Sequence, residues 1–290
     1  MRGPKFGAHM SIAGGPANAL RRGEMMGCET IQMFTRPANR WRAKPLTERQ
    51  VAEFQRVRAE VDIGPIIAHS SYLINLGSPD PELWQKSLEA LLDELHRCQQ
   101  LGLRDYVLHP GSHMGAGEEE GLRRVAEALS RALEETADAG VVILLETTAG
   151  QGTSLGHRFE HLGWLLDHVR FNERLGVCFD TAHAFAAGYE FRQPESYEAM
   201  WDRFDKIIGR ERLRALHLND SKRDLGSRVD RHEHIGKGFI GLGAFRLLVN
   251  DPRLRHIPML LETPKGPDMV EDIENLAVLR SLVEDDWPLE

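Results

Sequence analysis

The chain has 290 residues, 41% of them hydrophobic and 28% charged, which is enough for one large α/β domain or two small ones. Its formal net charge of −8 argues against general electrostatic binding of nucleic acid, although basic residues cluster locally. The odd number of widely spaced cysteines argues against a disulfide framework, and no apolar run approaches the roughly 18 residues of a membrane span. We therefore expect a cytoplasmic protein without membrane contact.

Short apolar runs alternate with helical stretches along the chain. The runs cover residues 5–9, 30–34, 66–69, 106–109, 141–146, 176–180, 213–217 and 258–262. Continuous apolar runs are typical of buried parallel strands, and stretches such as 81–101 and 118–139 carry apolar residues at helical spacing. Eight such units without a linker predict a single (β/α)8 TIM barrel over residues 1–290; a doubly wound open sheet is the alternative.

Side chains that can bind metal ions end seven of the eight predicted strands. They are His9, His69, His109, Glu146, Asp180, His217 and Glu262. Barrel enzymes carry their active sites at the C-terminal strand ends, so we expect these groups to meet at one mouth. Buried carboxylates packed together repel one another and lose their hydration, so the cluster requires cations. The loops add His183, and Asp230 and His232 in a D-x-H spacing, which predicts a site for two or three ions.

Long segments at these strand ends resemble a known family. The segments are GAHMSIAGG, HSSYLINLG, HPGSH, ETTAGQGTSLG, FDTAHAFAAGY, HLNDSKRDLGSRVDRHEHIG and LLETP, and together they span nearly the whole chain. They are similar to those of the endonuclease IV family, the metal-dependent apurinic/apyrimidinic endonucleases of base-excision repair.

The resemblance implies three zinc ions per chain, with manganese compatible at one position. It assigns the first ion to His69, His109 and Glu146, the second to Glu146, Asp180, His217 and Glu262, and the third to His183, Asp230 and His232. Glu146 would then bridge two ions and also serve as the catalytic residue. Within DRHEH, the family pattern favours His232 over His234 as the ligand.

The implied activity is hydrolysis of the phosphodiester bond 5′ to an abasic site, leaving a 3′-hydroxyl and a 5′-deoxyribose phosphate. Repair of 3′-blocked ends is the expected second activity. The implied partner is double-stranded DNA that contains abasic sites or 3′-blocked ends, bound by a monomer.

The resemblance also predicts the contacts with DNA. Tyr72 and Leu73 match a pair that the family wedges into the base stack, and Asn39 stands where the family has a third, arginine wedge residue, with Arg40 beside it. Two basic clusters are expected to contact phosphates. The first contains Arg36, Arg40, Arg42, Lys44 and Arg49, and the second contains Lys222, Arg223, Arg228, Arg231 and Lys237. Smaller departures from the family are Ser70, where aspartate is usual, and Thr147, where asparagine is usual.

The remaining histidines have other expected roles. We expect His9 and His113 to form hydrogen bonds around the ligands or to phosphate. Solvated or capping roles are expected for the histidines in helical or connecting stretches, namely His96, His157, His161, His168 and His256.

Two alternatives to the nuclease remain. A xylose-isomerase-like sugar isomerase or epimerase would share the barrel and a Glu/Asp/His/Glu metal set, but it needs one tight ion instead of three. A non-enzymatic protein that binds metal or damaged DNA would keep the barrel without turnover, and an incision assay on abasic duplex separates it from the nuclease.

Overall fold

Eight parallel strands close into a barrel in the computed structural model, which describes residues 3–284. The strands are β1 Phe6–Met10, β2 Thr30–Phe34, β3 Ile66–His69, β4 Asp105–Leu108, β5 Val142–Glu146, β6 Leu175–Asp180, β7 Leu213–His217 and β10 Met259–Leu261. Two further short strands, β8 Asp220–Ser221 and β9 His232–Glu233, pair antiparallel in the loop after β7. The predicted barrel is confirmed, and the open-sheet alternative is wrong because β1 pairs with both β2 and β10. The predicted domain also includes residues 1–2 and 285–290, which lie outside the described residues.

Helices connect the strands and pack around the barrel. They are α1 Ala17–Met25, α2 Glu48–Glu60, α3 Pro81–Leu101, α4 Glu118–Glu135, α5 Phe159–His168, α6 Thr181–Ala187, α7 Pro194–Ile207, α8 Leu242–Val249 and α9 Val270–Ser281. Local sequence sets their ends: Asp80 caps the first turn of α3, Pro81 occupies its first position, and Gly102 ends it in the left-handed conformation with φ 68°. No helix within the described residues is long and apolar enough to cross a bilayer.

The barrel interior decides which side chains reach the mouth. Six strands each place one buried apolar side chain in a layer inside the barrel, formed by Ile67, Val107, Leu144, Cys178, Ala215 and Leu260. Side chains of a strand alternate between faces, so the residue two positions further along each chain points inward again, one layer nearer the C-terminal ends. These residues are His69, His109, Glu146, Asp180, His217 and Glu262. A separate, larger apolar core lies between the barrel and the helices and supports this arrangement.

Candidate metal centre

Both oxygens of Glu146 are engaged at the mouth. The carboxylate is fully buried at the end of β5. Its Oε2 lies 3.2 Å from His69 Nε2 and 2.9 Å from His109 Nε2, whereas its Oε1 lies 3.0 Å from His217 Nδ1. The first group of ligands predicted from the sequence, His69, His109 and Glu146, is therefore assembled in the structure, and Glu146 joins it to the second.

The second group comprises Glu146, Asp180, His217 and Glu262. His217 Nδ1 lies 3.6 Å from Asp180 Oδ2 and 3.4 Å from Glu262 Oε2, in addition to its contact with Glu146. Asp180 also caps α6, because its Oδ1 accepts from the backbone N–H of His183. The same carboxylate thereby fixes the start of the helix that carries a ligand of the third group.

The third group contains His183, Asp230 and His232. Asp230 Oδ1 lies 3.2 Å from His183 Nε2 and 3.5 Å from His232 Nε2. Asp180 approaches this group as well, with Oδ2 at 3.8 Å from His232 Nε2. The structure therefore adds Asp180 to the predicted third set, while Asp230 is the most exposed of the carboxylates, at 43%.

Hydrogen bonds to backbone carbonyls assign the tautomers of three of these histidines. The Nδ1 atoms of His69, His183 and His232 lie 2.8, 2.9 and 3.1 Å from the carbonyl oxygens of Ser70, Thr147 and Glu262. A carbonyl only accepts, so each Nδ1 carries a proton, and each Nε2 is the ring atom that faces the centre and is available to an ion. His183 Nε2 and His232 Nε2 lie 3.4 Å apart, a separation that suits either a shared proton or one ion bound by both.

Gln32 assigns the tautomer of the fourth histidine, His217. No role for Gln32 had been predicted from the sequence. Its amide nitrogen donates to Glu262 Oε1 at 2.5 Å and to His9 Nδ1 at 3.0 Å, because a carboxylate can only accept. Its Oε1 must then accept from His217 Nε2 at 2.8 Å, which leaves His217 Nδ1 as the ligand atom. A polar residue inside the apolar run 30–34 is the signal that could have revealed it.

The electrostatics of the centre favour added positive charge. Burial raises the pKa of Glu146, but the imidazoles of His109 and His217 outweigh this effect and hold that pKa well below its usual value. Burial likewise opposes protonation of His183, yet the carboxylates of Asp180 and Asp230 raise its pKa well above the usual value. In the protein alone, protons on imidazoles thus neutralise the carboxylates, a role that metal ions would take over.

The chemistry of these groups fits metal ions. A tetrahedral ion with ligands at about 2.0–2.2 Å separates them by roughly 3.3–3.6 Å, close to the distances found here. In each of the four histidines with assigned tautomers, the ring nitrogen that does not face the centre donates its N–H to a protein oxygen, as in metal-binding histidines. Imidazole and carboxylate ligands without thiolates suit zinc and tolerate manganese.

A buried carboxylate stabilises the conformation of the loop that carries Asp230 and His232. Asp220, fully buried after β7, accepts hydrogen bonds from five backbone amides, those of Ser221, Gly236, Gly238, Ile240 and Gly241. A Cβ at Gly238 would lie 2.4 Å from the Ser221 carbonyl oxygen and 2.5 Å from Asp220 Oδ1, so this position requires glycine. Nothing in the sequence analysis had singled out Asp220, although it lies in the segment HLND.

Tyr72 lines the open cavity at the mouth of the barrel, whereas the other residues predicted to bind DNA lie outside its lining. A cavity of about 710 Å³ is lined by metal-centre residues including His69, His109 and Glu262, and Tyr72 stands at its edge. The side chain of Tyr72 is 74% exposed, although its ring contacts those of Phe34 and His69. Leu73 is half-buried. The other residues predicted to bind DNA are exposed in loops after β2 and β7, namely Asn39, Arg40, Lys222, Arg228 and Arg231.

The two remaining residues near the mouth differ in position. His9 lines the cavity, accepts from Gln32 and leaves its Nε2 buried without a partner in the described structure. His113 is not among the lining residues of this cavity; its Nδ1 accepts from the backbone N–H groups of Gly115 and Gly117 and holds its own loop. The ligand and contact roles of all these residues remain predictions.

One member of the first basic cluster is not at the surface. Arg36 is only 2% exposed and its Nε donates to Glu94 Oε1 at 2.6 Å. The expectation that it contacts phosphate is therefore wrong, because the guanidinium is already engaged inside the protein.

Two of the histidines expected to have solvated or capping roles are buried. His157 and His161 are 6% and 2% exposed and, with Glu118, form a fourth cluster of groups that can bind metal. The hydrogen bonds argue against an ion there. His161 Nδ1 accepts from the Gly156 N–H, and the Arg158 guanidinium lies 2.9–3.1 Å from the Nε2 of the same ring, where it takes the place an ion would need.

This cluster predicts a pH dependence of stability. Burial and the neighbouring His157 lower the pKa of His161 to about 4, from an unfolded value near 6.5. A depressed pKa gives a stabilising contribution that is complete above pH 6.5 and is lost as the pH falls towards 4. Between pH 7 and pH 4 the wild-type protein should lose roughly 1–3 kcal/mol more unfolding free energy than His161→Asn, measured by denaturant titration. Equal losses would contradict this assignment.

The chain is similar to known proteins over nearly its whole length. Residues 20–282 match the family described as xylose isomerase-like TIM barrel. "Probable endonuclease 4" of Chloroflexus aggregans is 55% identical over 280 residues, covering 97% of this chain and 98% of that protein. The protein of the same name in Geobacter sulfurreducens is 52% identical, covering 96% of this chain and 94% of that protein.

Solved structures agree with these relatives. The crystal structure of endonuclease IV from Thermus thermophilus superposes with a TM-score of 0.84 at 40% identity, covering 96% of this chain and 98% of that one. A D-tagatose 3-epimerase-like protein superposes with a TM-score of 0.71 at 18% identity, covering 96% of each chain, and shows the fold alone. The identity and coverage of the first set decide the matter: the chain belongs to the endonuclease IV family of xylose isomerase-like TIM barrels.

Proposed function

We propose that the chain is a DNA-repair endonuclease that hydrolyses the phosphodiester bond 5′ to abasic sites with three zinc ions, and that it also removes 3′-blocking groups. The products are a 3′-hydroxyl and a 5′-deoxyribose phosphate. The observation that carries the proposal is the buried Glu146, whose two oxygens face separate histidine groups within one mouth. Membership of the endonuclease IV family supports cleavage of DNA as the reaction.

The residues of the centre would have different roles in the reaction. The three groups would hold the ions, which supply a more acidic water and positive charge for the phosphate. Glu146 is anionic at neutral pH because the imidazoles lower its pKa, so it can orient the attacking water and accept a hydrogen bond from it. Asp230 and His109 are the ligands open to solvent, at 43% and 38% exposure, so the phosphate would approach from their side.

Recognition of the abasic site would use the exposed residues at the mouth. Removal of a base leaves a gap in the stack, and extruding the bare sugar costs less than extruding a paired nucleotide. Tyr72 is an exposed aromatic beside the cavity and would fill that gap together with Leu73. Arg40, next to Asn39, would take the place of the arginine wedge that the family carries.

A sugar epimerase is the weaker alternative. Epimerase-like structures share the fold at 14–20% identity, and the second group, Glu146, Asp180, His217 and Glu262, is the kind of set that such an enzyme needs. The epimerase alternative gives no role to the first and third groups or to the exposed Tyr72.

Incision of a labelled duplex tests the proposed reaction. A duplex with one abasic site should be cut 5′ to that site, the new 3′-hydroxyl should support extension by a polymerase, and chelator should abolish cutting. An intact duplex of the same sequence is the control. Absence of cutting, or cutting that persists after the ions are removed, would refute the proposal.

The basic loops predict a salt dependence of binding. Replacing Arg40 or Lys222 with alanine should weaken binding to abasic duplex and flatten the slope of log Kd against log salt by about one phosphate contact each. Arg56→Ala, on the outer helix α2, is the matched control. If the slopes of Arg40→Ala and Lys222→Ala equal that of the control, neither residue contacts phosphate.

The proposed setting is a monomer in the cytoplasm. Cys28, Cys98 and Cys178 are buried free thiols, which suits a reducing compartment.

A further inference from the structure

A buried ion pair beneath the mouth is not used by the chemistry described above. Arg36, two residues after β2, and Glu94, within α3, are 2% and 1% exposed. A buried charge pair costs desolvation energy that its own attraction only partly offsets, so it needs further hydrogen bonds to be maintained. The partners of this pair indicate what it holds in place.

Arg36 reaches both loops that carry the predicted wedge residues. Its Nη1 donates to the carbonyl oxygens of Arg40 at 3.0 Å and Trp41 at 2.8 Å, in the loop after β2. Its Nη2 donates to Ser71 Oγ at 3.1 Å, in the loop after β3. One planar guanidinium therefore fixes the backbone just behind Asn39 and the residue just before Tyr72.

Glu94 forms hydrogen bonds with the loop after β3, which carries Tyr72 and Leu73. Its Oε2 accepts from the Ser71 backbone N–H at 3.1 Å and from the Tyr106 hydroxyl at 2.8 Å. Ser71 is thus held through both its amide and its hydroxyl, and it is only 2% exposed, whereas the adjoining Tyr72 is 74% exposed. An exposed aromatic on a fixed backbone loses less conformational freedom when it inserts into a stack.

We propose that the Arg36–Glu94 pair is a positioning element that couples the loop of Asn39 and Arg40 to the loop of Tyr72 and Leu73, so that the two enter the damaged duplex as one unit. The inference rests on the proposed function, since it assumes that these loops bind abasic DNA. Arg36 borders the cavity, but its guanidinium donates to protein acceptors, so the pair would act through the two loops and not through its own contacts with DNA or metal. Their effect is to make the contributions of the two loops to binding interdependent.

The test uses Arg36→Lys, which keeps a charge beside Glu94 but loses the fork that reaches both loops. Two readouts are measured on the metal-loaded protein: Kd for an abasic duplex, and fluorescence of 2-aminopurine placed opposite the abasic site, which reports disturbance of the stack. We expect a roughly tenfold weaker Kd and a reduced fluorescence change, with unaltered metal content. Ser71→Ala, which removes a single hydroxyl, should shift both readouts in the same direction by less.

Coupling itself is measured by a double-mutant cycle. In the wild-type background, Arg40→Ala and Tyr72→Ala should be non-additive, the double variant losing several-fold less affinity than the product of the single losses. In the Arg36→Lys background their effects should become additive. Asp251→Asn, which breaks the Tyr197–Asp251–Arg253 cluster between α7 and α8, controls for general destabilisation and should leave Kd, fluorescence and the cycle unchanged.

The outcomes separate this inference from the function on which it rests. If Arg36→Lys gives the same Kd, the same fluorescence change and the same non-additivity of Arg40→Ala and Tyr72→Ala as the Asp251→Asn control, the pair is structural only. The coupling is then refuted. If the wild-type protein itself neither prefers abasic over intact duplex nor changes the fluorescence, the proposed function fails instead.

Discussion

Incision of abasic duplex should fall by roughly a thousandfold or more when Glu146 is replaced with glutamine. Glutamine keeps the size of the side chain but carries no charge, and its amide nitrogen must face one of the two histidine groups as a donor. One group therefore loses its anionic ligand, while His217, which lies 3.0 Å from Glu146, loses one of the negative charges that balance it. Metal content should fall along with the rate.

Single-turnover incision and elemental analysis of the same samples measure both effects. Glu118→Gln is the matched control. Glu118 also contacts two histidines, His157 and His161, but it pairs with Arg158 away from the metal centre. This variant should cut DNA at the wild-type rate with wild-type metal content. Cleavage at the wild-type rate by Glu146→Gln would show that the mechanism does not depend on the Glu146 carboxylate.

The second large effect is expected from Asp220→Asn. One carboxylate oxygen becomes an amide donor that faces the backbone N–H groups of Gly236, Gly238 and Gly241 or of Ser221 and Ile240. Buried donors without acceptors are costly, so the free energy of unfolding should drop by roughly 3–5 kcal/mol. The loop that presents Asp230 and His232 should loosen, and the ion of the third group should be lost first.

Denaturant unfolding in the presence of chelator isolates the effect on the loop, and metal content is then measured on reloaded protein. Asp224→Asn, an exposed carboxylate of the same loop, is the control and should change neither quantity. Retention of a full set of ions by Asp220→Asn would show that the third group does not depend on this anchor.

The barrel and the positions of the candidate ligands at its mouth could be predicted because both follow from short-range pattern. Buried parallel strands give continuous apolar runs, and three of the predicted strands, 30–34, 66–69 and 213–217, coincide with β2, β3 and β7. Six candidate ligands lie at or just after the end of a barrel strand, so their convergence follows from the topology without knowledge of side-chain packing. The helix predicted over 118–139 ends at Glu135 because terminal turns carry little periodic signal.

The supporting residues depend on contacts distant in the sequence and could not be predicted in this way. Arg36 reads as a surface cation until Glu94, 58 positions away, is placed beside it. His161 reads as a solvated helix residue until the loop amide of Gly156 and the side chain of Arg158 fold onto it. Asp220 lies beside recognised ligands, yet its role depends on amides up to 21 residues further along the chain.

The count of ions per chain tests the central claim most directly. Elemental analysis of the purified wild-type protein, after dialysis against metal-free buffer, should find about three divalent ions per chain, with zinc predominant. One ion per chain would match the epimerase alternative, and none would show that the groups around Glu146 hold protons instead of metal; either result would contradict the account.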